Sequence, residues 1–366
     1  MRFQIQREAV LKPLQAVVGV VEKRQTLPIL ANLLVVVEPG QVSFTGTDLQ
    51  LEMIAKVTAE GTTPGEATVP ARKFFDICRA LPDGATLTVE QQGDRVQVKA
   101  GRSRFVLATL PAAEFPALEA KESNDSLTLP QGVIKELIDR VAFAMAVQDV
   151  RFYLNGMLFD LRADSLRAVA TDGHRLALCQ APLDAREGSP RQILLPRKAV
   201  LELQRLLEAT DEPVTLELGR SHVRLRRPDV VFTSNLIDGR FPDYEAVMPI
   251  GADKQVKVDR DVLRDALSRA AILSNEKYRG VRLEIAPSQL RVVAHNAEQE
   301  EAVEEFSAES NTDNLQISFN VTYVLDALAS LRGEQVELRL RDGNSSCLIA
   351  DAQDDRARHV IMPMRM

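Results

Sequence analysis

Apolar residues recur along the chain in two rhythms, and the alternation of rhythms is itself repeated. Val10, Leu14, Val17 and Val18 follow the i, i+4, i+7, i+8 spacing of one helix face. Ile134, Ile138, Val141 and Ala142 repeat that spacing, as do Leu263, Leu267, Ala270 and Ala271. Downstream of each stripe the period drops to two. Leu33, Val35 and Val37, then Met157, Phe159 and Leu161, then Val281, Leu283 and Ile285 each specify a half-buried strand, at a constant shift of 124 residues. The same shift superimposes GQVSFTGTD, DSLRAVATD and SQLRVVAHN, and so aligns Asp48, Asp172 and Asn296. A short strand precedes each first helix, at Phe3 and Ile5, Leu127 and Leu129, and Val256 and Val258. A second helix is predicted in VPARKFFDICRAL, LPRKAVLELQRLL and FNVTYVLDALASL, where Pro70 and Pro196 suit a helix start because the missing N–H has no intrahelical partner there. The prediction is an α+β fold of three tandem copies of a two-helix, mostly antiparallel-sheet domain, at residues 1–124, 125–251 and 252–366, with two small sheets in each copy.

Composition sets limits on this picture without redirecting it. The chain has 366 residues, 45% hydrophobic and 27% charged, which describes a folded protein with ample core and excludes a disordered or low-complexity chain. No apolar run approaches the roughly 20 residues a bilayer requires, so no membrane partner is expected. The opening MRFQIQREAV lacks a leader's hydrophobic stretch, and the expected location is cytoplasmic. Cys78, Cys179 and Cys347 lie far apart, without zinc or disulfide spacing, and read as small core hydrophobes.

The net charge of −7 argues against a protein that coats nucleic acid by bulk charge. The average hides a gradient, with 14 basic and 14 acidic residues in the first copy against 15 and 20 in the third. On the second helix, Arg72 and Arg79 of the first copy align with Lys198 and Arg205 of the second, whereas the third copy has Thr322 and Ala329. Cations repeated at aligned positions, without a base-reading motif, suit contact with phosphates. Nucleotide-binding, zinc-helix and nucleophile-elbow motifs are absent from the sequence, so neither a cofactor nor a metal is expected. The best catalytic candidate is ATDGHRLAL, where Asp172 and His174 would form the acid-base pair of a nuclease-like, DNA-processing enzyme. Its weakness is that Asp48 and Asn296 hold the same turn in the other copies. The closing HVIMPMRM places Met362, Met364 and Met366 in one apolar tail, which is suited to a peptide groove.

TLPILANLL, TGTDLQLEM, GRSRFVLATLPAAEFP, QDVRFYLNGMLF, DGRFPDY, AAILSNEKYRGVRL and VIMPMR, together with the segments quoted above, closely resemble the bacterial replicative sliding clamp family, the beta subunit of DNA polymerase III holoenzyme, over the whole chain. The resemblance implies a non-catalytic processivity factor, a head-to-tail homodimer forming a ring around double-stranded DNA without regard to sequence. It implies as partners the clamp loader, the replicative polymerase catalytic subunit, translesion polymerases and mismatch-repair proteins. Mapped by position, the dimer contacts are Arg95, Arg102, Arg104, Phe105 and Leu107 against Ile272, Leu273, Glu298, Glu300 and Glu304. The DNA-facing residues are Arg24, Arg72, Lys198 and Arg205, with Gln148, Arg151, Phe152 and Tyr153 on a loop. The partner groove comprises Leu154, Thr171, Gly173, His174, Arg175, Leu176, Pro242, Val247, Tyr323, Ser346, Val360, Met362, Pro363, Met364 and Arg365. Two positions depart from the family pattern: Ala246 replaces an expected basic side chain, and Asn344 an expected apolar one.

Overall fold

A computed structural model describes residues 1–22, 27–118, 125–184 and 190–365. Each copy has the same element order: one strand, a helix, a group of strands, a second helix and three closing strands. The helices are α1 (Arg7–Val20), α2 (Ala71–Ala80), α3 (Gln131–Asp139), α4 (Arg197–Leu206), α5 (Arg260–Ala270) and α6 (Val321–Ser330). All twelve residues of the three predicted first-helix stripes are buried, because one apolar face per helix is what these spacings can turn toward a sheet. The second helices agree, with Phe74, Val200 and Val324 buried, although Cys78 displaces Ile77 from the innermost position of α2. Pro70 sits one residue earlier than a first helical position, as the N-cap of α2, and Pro196 likewise closes the strand before α4. All three cysteines are free and buried, and burial pushes the thiols of Cys78 and Cys179 up to about 12 and about 11.

The expectation of two small sheets within each copy needs correction, because strands pair across copies. The chain divides into two compact units, residues 1–132 with 201–236, and residues 133–200 with 237–366. In the first unit, an eight-stranded sheet joins the middle strands of the first copy to the opening and closing strands of the second. Its joint is the antiparallel pair Leu51–Thr58 with Val230–Asn235, in register Phe232 to Met53. In the second unit, a nine-stranded sheet joins the middle strands of the second copy to the third copy by the equivalent pair, Arg175–Pro182 with Ala357–Ile361, in register Leu178 to Arg358. One rule therefore governs both joints: the last strand of one copy pairs with the third middle strand of the copy before it. Applied once more, the rule leaves two strands that, among the described residues, have no neighbour on one side. Ser103–Ala108, last in the first copy, ends a five-stranded sheet, and Glu301–Ser307 of the third copy ends a four-stranded one.

Candidate peptide groove and nucleic-acid face

The aligned turn is structural in each copy. Asp48 accepts the N–H groups of Gln50 and Leu51 at 2.8 and 2.7 Å. Asp172 accepts those of His174 and Arg175 at 2.9 and 3.0 Å, and its other oxygen takes the Arg175 Nε–H at 3.1 Å. Asn296 accepts the Glu300 N–H at 2.9 Å. Both Asp172 oxygens thus serve the turn, and the His174 ring stacks on Tyr323 at 6.5 Å. Gly173 takes φ +89°, and a Cβ there would meet the Arg151 guanidinium at 3.0 Å, so the turn requires glycine twice over.

Beside this turn lies an apolar groove of about 140 Å³ within the second unit. Nine of the predicted residues line it: Leu154, Thr171, Gly173, Arg175, Leu176, Pro242, Val247, Val360 and Met362. Its floor belongs to a buried cluster that includes Leu158, Val169, Leu178 and Leu194. Arg175 forms a fixed wall: its guanidinium donates to Asp326 at 2.5 Å and to the Phe143 carbonyl at 2.8 Å, and lies 4.5 Å from the Tyr323 ring centre. The tail is anchored on both sides, by the Met362 N–H to the His174 carbonyl at 2.9 Å and the Met364 N–H to the Ser318 carbonyl at 2.7 Å. His174, Tyr323, Ser346, Pro363, Met364 and Arg365 belong to the same unit without lining the cavity.

Sequence reasoning missed four lining residues as groove residues. Arg151 and Tyr153, which the resemblance assigned to a DNA-facing loop, stand in the wall, as do Phe241 and Tyr244. Tyr244 is buried and donates its hydroxyl proton to Asp160 at 2.5 Å, while Arg162 and Arg167 donate to the Tyr244 hydroxyl oxygen at 2.9 and 3.2 Å. Burial and the neighbouring Asp160 hold the phenol above its ordinary pKa, so the hydroxyl keeps its proton and goes on donating to Asp160. The available signal was a pair of aromatics in DGRFPDYEAV, a segment too short to bury them itself. Ala246 and Asn344 are both exposed.

The basic residues divide differently from their sequence pattern. Arg24 lies outside the described residues. Arg72 and Arg205 line one cleft of about 730 Å³ in the first unit, together with Lys12 and Arg227. Arg72 donates to the Val21 carbonyl at 3.0 Å, and Arg205 pairs with the buried Glu202 at 2.5 Å. Lys198 is half-buried, Phe152 is exposed, and Gln148 adopts φ +55° in the exposed loop before the groove.

On the first unit's free edge, Arg95, Arg102 and Arg104 are exposed, Phe105 is half-buried, and Leu107 is already covered within the chain. Strand alternation instead exposes Val106, at 43%. On the second unit's free edge, Val303 is also 43% exposed, and in the short turn after α5 Ile272 is 78% exposed and Leu273 is half-buried. Glu298 and Glu300 are exposed, whereas Glu304 is bound by Arg269 at 2.9 and 2.7 Å, which lowers its pKa. Among the described residues, no group of three or more His, Cys, Asp or Glu side chains is placed to hold a metal, and no helix is long and apolar enough to cross a membrane.

Repeated α+β copies joined strand to strand, with an apolar groove and a cationic helix cleft, define the DNA-clamp class of fold. Three sequence-family profiles match in order: the N-terminal domain of the DNA polymerase III beta subunit over residues 1–119, its central domain over 128–243 and its C-terminal domain over 245–365. The beta sliding clamps of Pseudomonas putida and Escherichia coli are 52% and 50% identical to the chain, each over the full length of both proteins. A crystal structure of the Pseudomonas aeruginosa sliding clamp bound to griselimycin superposes with a TM-score of 0.98 at 51% identity, covering all of both chains. The chain belongs to the DNA polymerase III beta subunit family, the beta sliding clamps.

Proposed function

We propose that this chain is a DNA sliding clamp, a processivity factor that encircles duplex DNA and tethers polymerases through its groove. The observation that carries the reading is the pair of unmatched strand edges. Ser103–Ala108 and Glu301–Ser307 stand where the rule of the two internal joints calls for a third joint. A second chain can supply it by pairing unlike edges head to tail; two such joints close six copies into a ring. Charge supports the pairing, since Arg95, Arg102 and Arg104 flank one edge and Glu298, Glu300 and Glu301 the other.

The three copies are taken as residues 1–124, 125–251 and 252–366, supported by the three family profiles. Arg24, Arg72, Lys198 and Arg205, with Gln148, Arg151, Phe152 and Tyr153, are the contacts to duplex phosphates in this reading, without base readout. The groove takes short apolar motifs from the replicative polymerase, the clamp loader, translesion polymerases and mismatch-repair proteins. The protein acts in the cytoplasm, at the nucleoid, and has no catalytic step of its own, because the Asp172 carboxylate is committed to its turn. On primed circular DNA, adding the chain with a clamp loader should lengthen the product a polymerase makes in a single binding event. Unchanged product length would overturn the assignment.

A further inference from the structure

Met362 is the most exposed methionine among the described residues, at 40%, and it lines the apolar groove. Met53, Met145 and Met157 are buried, and Met364 is half-buried. Its place is fixed from both sides, by the hydrogen bonds from its own N–H to the His174 carbonyl and from the Met364 N–H to the Ser318 carbonyl. Met362 is therefore held in the groove lining while two fifths of the residue remains exposed, with an apolar surface beside it.

We propose that Met362 is a modification site at which peroxide switches the groove off. This rests on the peptide-binding reading above. A sulfur lone pair attacks one peroxide oxygen; the S–O bond forms as the O–O bond breaks, and the leaving hydroxide takes a proton to become water. Sulfur is oxidised by two electrons and peroxide is reduced by two. The product is a polar sulfoxide where Leu154, Leu176, Val247 and Val360 expect an apolar neighbour. The guanidiniums in the wall are already engaged: Arg151 holds Asp149 at 2.8 Å, and Arg175 holds Asp172 and Asp326. A peptide side chain closing over the sulfoxide would strip its water without supplying a partner, a cost that corresponds to about tenfold or more in affinity. A dithiol-dependent sulfoxide reductase reverses the change, so the site can cycle.

The test treats the full-length protein with hydrogen peroxide, maps sulfoxides by mass spectrometry, and measures binding of a fluorescein-labelled peptide from a polymerase's clamp-binding tail by anisotropy. Met362 should oxidise before Met53, Met145 and Met157, and affinity should fall about tenfold or more in step with its oxidation. Sulfoxide reductase should restore it. A Met362→Leu protein, compared only with its own untreated form, should show no peroxide effect. Oxidation of Met362 without loss of affinity, or an equal loss in Met362→Leu, would overturn the proposal while leaving the groove assignment standing. Absence of peptide binding by untreated protein would remove the groove assignment, and the switch with it.

Discussion

Replacing Ile272 and Leu273 together by alanine tests the third joint at its most exposed apolar point. Ile272 is 78% exposed in the single chain, so its truncation removes little from the chain's own core. Fully burying a large aliphatic side chain is worth about 1.5–3 kcal/mol; with roughly three quarters of Ile272 available for cover, that is about 1–2 kcal/mol per joint. A ring has two joints, so dissociation into monomers should become easier by about 2–4 kcal/mol, before the smaller share of half-buried Leu273 is added. The dimer dissociation constant should rise by about 30- to 1000-fold. Fluorescence-detected sedimentation from nanomolar to micromolar concentration measures it directly. Thermal unfolding serves as the control, because exposed substitutions normally change stability by only about 0.5 kcal/mol. A dissociation constant unchanged from the parent, with folding intact, would refute the joint.

Deleting Met362 to Met366 should leave the dimer intact but weaken binding of a polymerase-tail peptide by about 2 kcal/mol or more, the scale of an interface hot spot, as read by titration calorimetry. Tyr244→Phe should destabilise the protein by about 1–3 kcal/mol in urea unfolding, because the buried Asp160 carboxylate loses its hydroxyl donor; a neutral effect would show that the network does not hold the groove floor. His359 is buried, and burial, with the positive charges of Arg140 and Arg175, depresses its pKa to about 3, so it is neutral in the folded chain while the unfolded chain protonates near pH 6.5. Stability should therefore fall as pH drops below about 6.5, by at most about 1.4 kcal/mol per unit, with the loss ending near the folded pKa; His359→Leu should flatten this slope between pH 6.5 and 5, and an identical slope would contradict it.

The helices were legible in the sequence because a 3.6-residue stripe identifies its buried face without reference to any partner. Strand positions were legible for a similar reason, but strand partners were not. Val230–Asn235 alternates in the same way whether its neighbour comes from its own copy or, as it does, from the first. The groove followed the same division. Residues in the repeated turn and the tail were identified, whereas Tyr153, Phe241 and Tyr244 were not, because isolated aromatics in irregular segments carry no period that says where they pack. The charge pattern of α2 and α4 suggested an open cationic row, but it could not reveal that Arg205 is paired with a buried glutamate one turn away.

Retention on DNA tests the ring most directly. Protein loaded onto a nicked circle should survive a wash from 50 to 200 mM salt, whereas six to ten phosphate contacts alone would lose about 10³- to 10⁵-fold in affinity over that range. Cutting the circle once should then release it, as it runs off the new ends. Equal retention on cut and uncut DNA would mean that ordinary binding holds the protein, and would contradict the closed ring.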